Sequence, residues 1–190
     1  MPLAVYLADD GAIASPRVTG FENRHRNFGT GVTEPKADVV TVAFAGSGDA
    51  FGSGGRLQAC IVVRAGQGAP MLLDCGATSL IALKRQGIDP NDVTAVLVSH
   101  LHVDHFGGLP HLILDGQFRR RIAPLIVAGP IGIAARLTDA MELMFPGSSA
   151  VQRRFAVEVV ELPAGSPPVT VAESRVQAEG LAGQAVTVGV

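Results

Sequence analysis

Apolar residues come in short blocks from residue 39 onward. Residues 39–45, 57–64 and 71–74 are runs of strand length, bounded by glycine, proline or aspartate. Gly66-Gln67-Gly68 reads as a hairpin turn between the second and third. From Thr78 to Gln86 the spacing turns helical, with Leu80, Ile81 and Leu83 apolar, a Thr or Ser cap in front and Gly87 as the stop. Pro90 keeps Asp89 out of a helix and marks a turn over 88–92. The block from Val93 to Val98 predicts a buried strand. Beyond it a helix is expected over 107–114, a strand over 123–128 and a helix over 131–145 with Ile133, Leu137, Met141 and Met144 on its apolar side. Further strands are expected over 155–162, 169–176 and 183–190, with a turn at 163–168. Residues 1–38 carry no clear period and read as an N-terminal arm or extension, whereas 39–190 reads as one domain. Strands that precede helices, mixed with hairpins, predict an α/β layered fold.

At 190 residues the chain is long enough for one domain with a real core. Its share of hydrophobic residues, 47% against 17% charged, suits a globular protein, and no stretch approaches the roughly 18 apolar residues of a membrane span. Residues 1–14 are apolar but hold Asp9 and Asp10 and lack a basic leader, so they do not read as a signal peptide and a cytoplasmic location is expected. A net charge of −2 gives no global attraction for a polyanion, and with no Trp and one Tyr there is little to stack on bases. Both points disfavour nucleic acid as a partner. Cys60 and Cys75 sit in apolar runs and read as buried free thiols, since two cysteines make no disulfide framework. Arg24-His25-Arg26 reads as a solvated basic cluster.

Candidate chemistry is concentrated in His100-Leu101-His102-Val103-Asp104-His105, directly after the block from Val93 to Val98. Imidazole and carboxylate are ligands for zinc and similar divalent ions. His100 and His102 are two apart, so on an extended segment they point to one side, while Asp104 and His105 follow a turn and can face a second ion. Asp74, at a strand end, is either a further ligand or a support.

The run Ser99-His100-Leu101-His102-Val103-Asp104-His105-Phe106-Gly107-Gly108-Leu109-Pro110 resembles the signature of the metallo-β-lactamase-fold hydrolases. Its Gly-Gly-Leu-Pro ending resembles the branch of ribonuclease Z and related phosphodiesterases. Gly46-Ser47-Gly48-Asp49-Ala50-Phe51-Gly52-Ser53-Gly54-Gly55-Arg56 resembles that branch's glycine-rich loop, and Leu72-Leu73-Asp74-Cys75-Gly76 its supporting strand-end motif. The resemblance covers about residues 39–163. It implies an αββα sandwich with metals at one edge, of which this pattern fits the N-terminal part. It implies His100 and His102 on one ion, Asp104 and His105 on the other, Asp74 as a support outside the ligands, and Asp104 as catalytic through a hydrogen bond from the attacking water. Two divalent ions are the implied cofactors, zinc first, with manganese or iron also able to take this ligand set. A hydroxide shared by the ions would attack a phosphodiester.

The family pattern needs a further His, a bridging Asp and a last His downstream. The only later His is His111 and the later Asp residues are Asp115 and Asp139, all in helical context. The expectation is a chain that lacks the C-terminal part of the domain; the alternative is a degenerate domain. A chain lacking that part is expected to be weakly metal-bound, inactive and prone to self-association on its own. Ser47, Asp49 and Ser53 are candidate substrate contacts; the glycine-rich loop lacks the Lys-Ser/Thr ending of a phosphate loop and reads as a tight turn near the site. Arg119-Arg120-Arg121 and Arg56 can grip phosphate or form a solvated face, the second being the commoner role. The expected substrate is a small molecule or nucleotide-like phosphodiester. The rivals are an ester, lactone or thioester on the same site, and a non-catalytic domain that binds a partner. No membrane is expected as a partner, and a homodimer is compatible with the chain.

Overall fold

The computed structural model describes residues 39–164, together with the backbone of strands at 3–7, 169–174 and 184–188. The main sheet has seven strands in sequential order. They are β1 (Leu3–Leu7), β2 (Val40–Gly46), β3 (Cys60–Ala65), β4 (Met71–Leu73), β5 (Ala95–Leu97), β6 (Leu125–Pro130) and β7 (Val157–Leu162). β2, β3 and β4 are antiparallel neighbours, and β4 through β7 run parallel. β1, inside the span expected to be an arm, joins β2 as a parallel edge strand. β8 (Val169–Ser174) and β9 (Gln184–Val188) form a separate antiparallel ribbon. The basic cluster at 24–26, most of the turn at 163–168 and the ends of the last two expected strands lie outside the described residues.

Parallel strands need crossovers, and helices supply them. α1 (Ser79–Arg85) links β4 to β5. The single turn α2 (Val103–Phe106) and α3 (Leu109–Phe118) link β5 to β6, and α4 (Ile133–Met144) links β6 to β7. The helix expected over 107–114 is α3, which starts two residues later and runs on to Phe118, and the single turn α2 before it was not expected. Gly107 and Gly108 separate α2 from α3, and Pro110 sits in the first turn of α3, where its missing N–H costs nothing. Thr78 does precede α1, but its side chain does not cap the helix; Thr78 Oγ1 accepts from Gln58 N at 2.8 Å instead. β3 starts at Cys60 because Leu57 and Gln58 turn to pair with the glycine-rich loop, where Gly48 N donates to Leu57 O at 2.6 Å.

The core follows from alternation. Val62, Leu72, Val96 and Val127 stand side by side across β3–β6 and are buried. Ala82 and Leu83 of α1, Leu109, Leu112 and Ile113 of α3, and Ile133, Leu137 and Met141 of α4 belong to the same cluster. The next row, Ile61, Leu73, Leu97, Ala128 and Val160, packs less fully, and Leu73 is exposed. An apolar sheet face of that kind suits one sheet of a two-sheet sandwich. Among the described residues no helix is long and apolar enough to cross a membrane.

Candidate metal centre

Topology brings the chemistry to one edge. β2 is parallel to β4 through two antiparallel steps, and β4 is parallel to β5. The carboxyl ends of β2, β4 and β5 therefore open on the same side, where ligands bind in parallel sheets. Those ends carry the glycine-rich loop, Asp74 and the histidine loop.

Asp74 anchors the arrangement. Its backbone is left-handed, at φ 62°, and its N–H donates to Leu97 O at 2.8 Å. This conformation is uncommon outside glycine, and a short Asp side chain tolerates it. Asp74 Oδ1 accepts from Ser99 N at 2.7 Å, and Oδ2 accepts from Ser99 Oγ at 3.0 Å. The same Oδ2 lies 2.6 Å from His105 Nδ1. The chain then crosses beneath the loop, with Cys75 N donating to His105 O at 2.7 Å and Gly108 N to Cys75 O at 2.8 Å.

The histidines gather above this support. His102 is the residue before α2, in extended conformation, and its carbonyl accepts from His105 N and Phe106 N. The His100 ring centroid is 4.6 Å from that of His102 and 4.0 Å from that of His105. Asp104 is buried, and its Oδ2 stands 3.4 Å from His105 Nε2. Two atoms bound to one tetrahedral ion at about 2.0–2.2 Å are roughly 3.3–3.6 Å apart. The separation of the Asp104 and His105 atoms therefore matches that of two donors on one ion. His105 presents Nε2 while Nδ1 is held by a carboxylate, the usual outer support of a metal-bound imidazole. Among the described residues no three ligating side chains close around one point, so the donors present here are pairs.

The remaining candidates divide. Ser47, Asp49 and Ser53 are exposed on the glycine-rich loop. Asp49 Oδ1 accepts from Phe51 N at 3.0 Å and Ser53 N at 3.1 Å, so this carboxylate shapes the loop, and its hydrogen bonds with Ser53 hold its pKa below the usual value. Arg119 is paired with both oxygens of Asp89, at 2.7 and 2.8 Å. Arg121 is buried at 4% exposure and donates to the carbonyls of Val93, Ala123 and Pro124. Neither is available to a phosphate. His111 is exposed and packs edge-on against Phe145; Asp115 pairs with Lys84 and Asp139 is exposed on α4.

Three contributors escape sequence reading. Ser99 touches Asp74, and its Oγ also lies 3.1 Å from His100 Nδ1. Gln58 latches the glycine-rich loop to the supporting segment, donating to Ala50 O and accepting from Ala77 N at 2.7 Å. Glu161 accepts from Gly132 N and Ala134 N at the start of α4. The only signal for Gln58 was a polar residue at the head of an apolar run.

Residues 40–137 match the family model described as anti-Pycsar protein Apyc1. The chain is 37% identical over 95 residues to ribonuclease Z of Methanothermobacter thermautotrophicus, covering 50% of this chain and 31% of that protein. It is 33% identical over 95 residues to ribonuclease Z of Agathobacter rectalis, covering 50% and 29%. The chain thus spans about a third of the length of these curated relatives. In structure it is similar to the short form of human tRNase Z, with TM-score 0.56 and 30% identity, covering 66% of this chain and 46% of that one. The metallo-β-lactamase-fold protein YhfI of Bacillus subtilis shares the fold at TM-score 0.53 and 18% identity, over 69% and 48% of the two chains.

Proposed function

The chain belongs to the family of the anti-Pycsar protein Apyc1, in the ribonuclease Z-like branch of the metallo-β-lactamase fold, and from that premise we propose that its histidine loop serves metal-dependent hydrolysis of a phosphodiester. The observation that carries this reading is the 3.4 Å approach of Asp104 Oδ2 to His105 Nε2, with His105 Nδ1 fixed on Asp74 at 2.6 Å. His100 and His102 would hold one ion, and Asp104 and His105 the other. Bound divalent ions supply a water of lowered pKa and offset charge that builds on phosphoryl oxygens. Asp104 would accept a hydrogen bond from such a water and so orient it. Asp74 and Ser99 fix the imidazoles from behind. Zinc is the first choice of ion.

A small or nucleotide-like phosphodiester is favoured over a transfer RNA. The glycine-rich loop offers Phe51 as an exposed aromatic and Arg56 as an exposed cation, while Arg119 and Arg121 are engaged by the protein. A net charge of −2 gives no general pull on a polyanion. Ester, lactone or thioester hydrolysis would use the same groups. A non-catalytic, partner-binding role draws on one observation, that the described ligands stand in pairs.

The test is zinc titration of the 1–190 chain at equilibrium, followed by turnover of thymidine 5′-p-nitrophenyl phosphate, p-nitrophenyl acetate and a transfer-RNA precursor by the zinc-saturated chain. Zinc bound by the chain, however weakly, and lost in His105→Ala, with any cleavage confined to the phosphodiester, supports the proposal. Bound zinc with cleavage of only the acetate moves the substrate class to esters. Failure to hold zinc, at any concentration that leaves the chain folded, overturns the metal assignment for this chain.

A further inference from the structure

We propose that Ser99 is a positioning residue that sets the tautomer of His100, so that one carboxylate, Asp74, governs a histidine on each of the two proposed ions. The inference rests on the reading of His100 and His105 as ligands, and its geometry is independent of any ion. Ser99 Oγ has three polar neighbours: Asp74 Oδ2 at 3.0 Å, His100 Nδ1 at 3.1 Å and His105 Nδ1 at 3.4 Å. A hydroxyl has one proton to give and lone pairs to receive with. An ionised carboxylate only accepts, and it is the strongest acceptor of the three. The Ser99 proton therefore goes to Asp74 Oδ2.

His105 Nδ1, at 2.6 Å from Asp74 Oδ2, must donate its own proton there. Ser99 Oγ then faces His100 Nδ1 with a lone pair, and a contact of 3.1 Å is favourable only if Nδ1 carries the proton. Both imidazoles thereby carry a proton on Nδ1, so that in the neutral ring Nε2 is the nitrogen left for a ligand bond. His105 is set directly and His100 through the hydroxyl. Without this wiring a neutral imidazole in water populates both tautomers, and the Nε2–H form cannot bind an ion through Nε2. Ser99 N bonds to Asp74 Oδ1 through the backbone, so the loop keeps that tie when the hydroxyl is removed.

The experiment is two-bond 1H–15N spectroscopy of the histidine rings in the metal-free 1–190 chain at pH 8, with zinc affinity measured in parallel. Wild-type protein should show the Nδ1–H pattern at His100 and His105. Ser99→Ala should move the two nitrogens of His100 toward a mixed tautomer, leave His105 unchanged and weaken zinc binding about 10–100-fold. Ser99→Thr keeps the hydroxyl and should restore both readouts, which a purely structural role for the side chain does not require. An Nε2–H pattern at His100 in the wild type, or an unchanged His100 in Ser99→Ala, overturns the proposal. A wild-type chain that holds no zinc yet shows the Nδ1–H pattern supports the relay and overturns the metal reading instead.

Discussion

A Cβ added to Gly76 would stand 2.3 Å from the carbonyl oxygen of Asp104. The supporting segment and the metal loop thus touch backbone to backbone, and side-chain volume is excluded between them. Gly108 repeats the relation, since its Cβ would meet Gly76 O at 2.2 Å. Neither glycine has a positive φ, so the constraint is space and not backbone conformation. Gly76→Ala should destabilise the fold by about 1–3 kcal/mol through overpacking against rigid backbone. It should also displace Asp104 and weaken zinc binding. Gly54, at φ 68° with nothing within 4 Å of its Cβ, is the contrast: alanine there costs backbone strain and no clash. Urea midpoints and zinc titration of the two variants check this. Equal zinc affinity in wild type and Gly76→Ala would remove the packing argument.

Asp74→Asn is the sharpest probe of the support. Asparagine tolerates the left-handed backbone at φ 62° and can still accept from Ser99 N through its carbonyl. What changes is the second atom, where an NH2 now faces His105 Nδ1 and Ser99 Oγ, both of which need an acceptor. The expected loss is about 1–3 kcal/mol of stability from unpaired donors. Zinc affinity should fall about 10–100-fold, as for removal of other outer supports. Calorimetric titration and denaturant unfolding measure the two separately. A variant with wild-type affinity would mean that Asp74 supports the chain path only.

How much of this was legible depended on how local each interaction is. Four potential ligands within residues 100–105 mark a candidate metal loop because they lie together in the sequence itself. From residue 39 to 162 the order of strands and longer helices was legible from the apolar blocks, since β3 to β6 each bury a residue against the helices; β1, in a span without a clear period, was not. The supporting contacts were not legible, because their partners are distant along the chain. Glu161 reaches Gly132 and Ala134, and Gln58 reaches Ala77. The arginine run shows the same limit. Arg119 pairs with Asp89, Arg120 adopts φ 60° and Arg121 is buried over the Phe155 ring, so adjacent identical residues have three separate fates. Partners distant along the chain decide between Arg119 and Arg121: Asp89 and Val93 before β5, and Phe155 before β7.

Cys60 and Cys75 should be chemically silent in the folded protein. Both are buried, at 0% and 1% exposure. Burial pushes the Cys60 thiol up to about 11, and drives that of Cys75 higher still. The thiolate is the reactive form, so at pH 8 neither group offers an accessible nucleophile. A chromogenic disulfide reagent should label neither cysteine in native buffer and both in strong denaturant. Fast stoichiometric labelling of the native chain would contradict the packing of β3 against the supporting segment.

The Asp89–Arg119 pair ties the turn before β5 to the end of α3, and its pH dependence has a definite sign. Hydrogen bonding to Arg119, first, and to Asn91 N holds the Asp89 pKa below its ordinary value. A carboxylate with a depressed folded pKa adds stability that is present above its unfolded value, near 3.8, and is lost as pH falls through the folded one. Both side chains are 41% exposed, so solvent screening keeps the contribution small. Asp89→Asn keeps the side-chain oxygen for Asn91 N and removes the charge. Wild type should therefore exceed Asp89→Asn by a constant margin from about pH 5 to 8, with the margin closing below about pH 4 and shrinking in high salt. Urea unfolding of both proteins across that range measures it. A margin that widens on acidification would reverse the sign and remove the ion pair as its source.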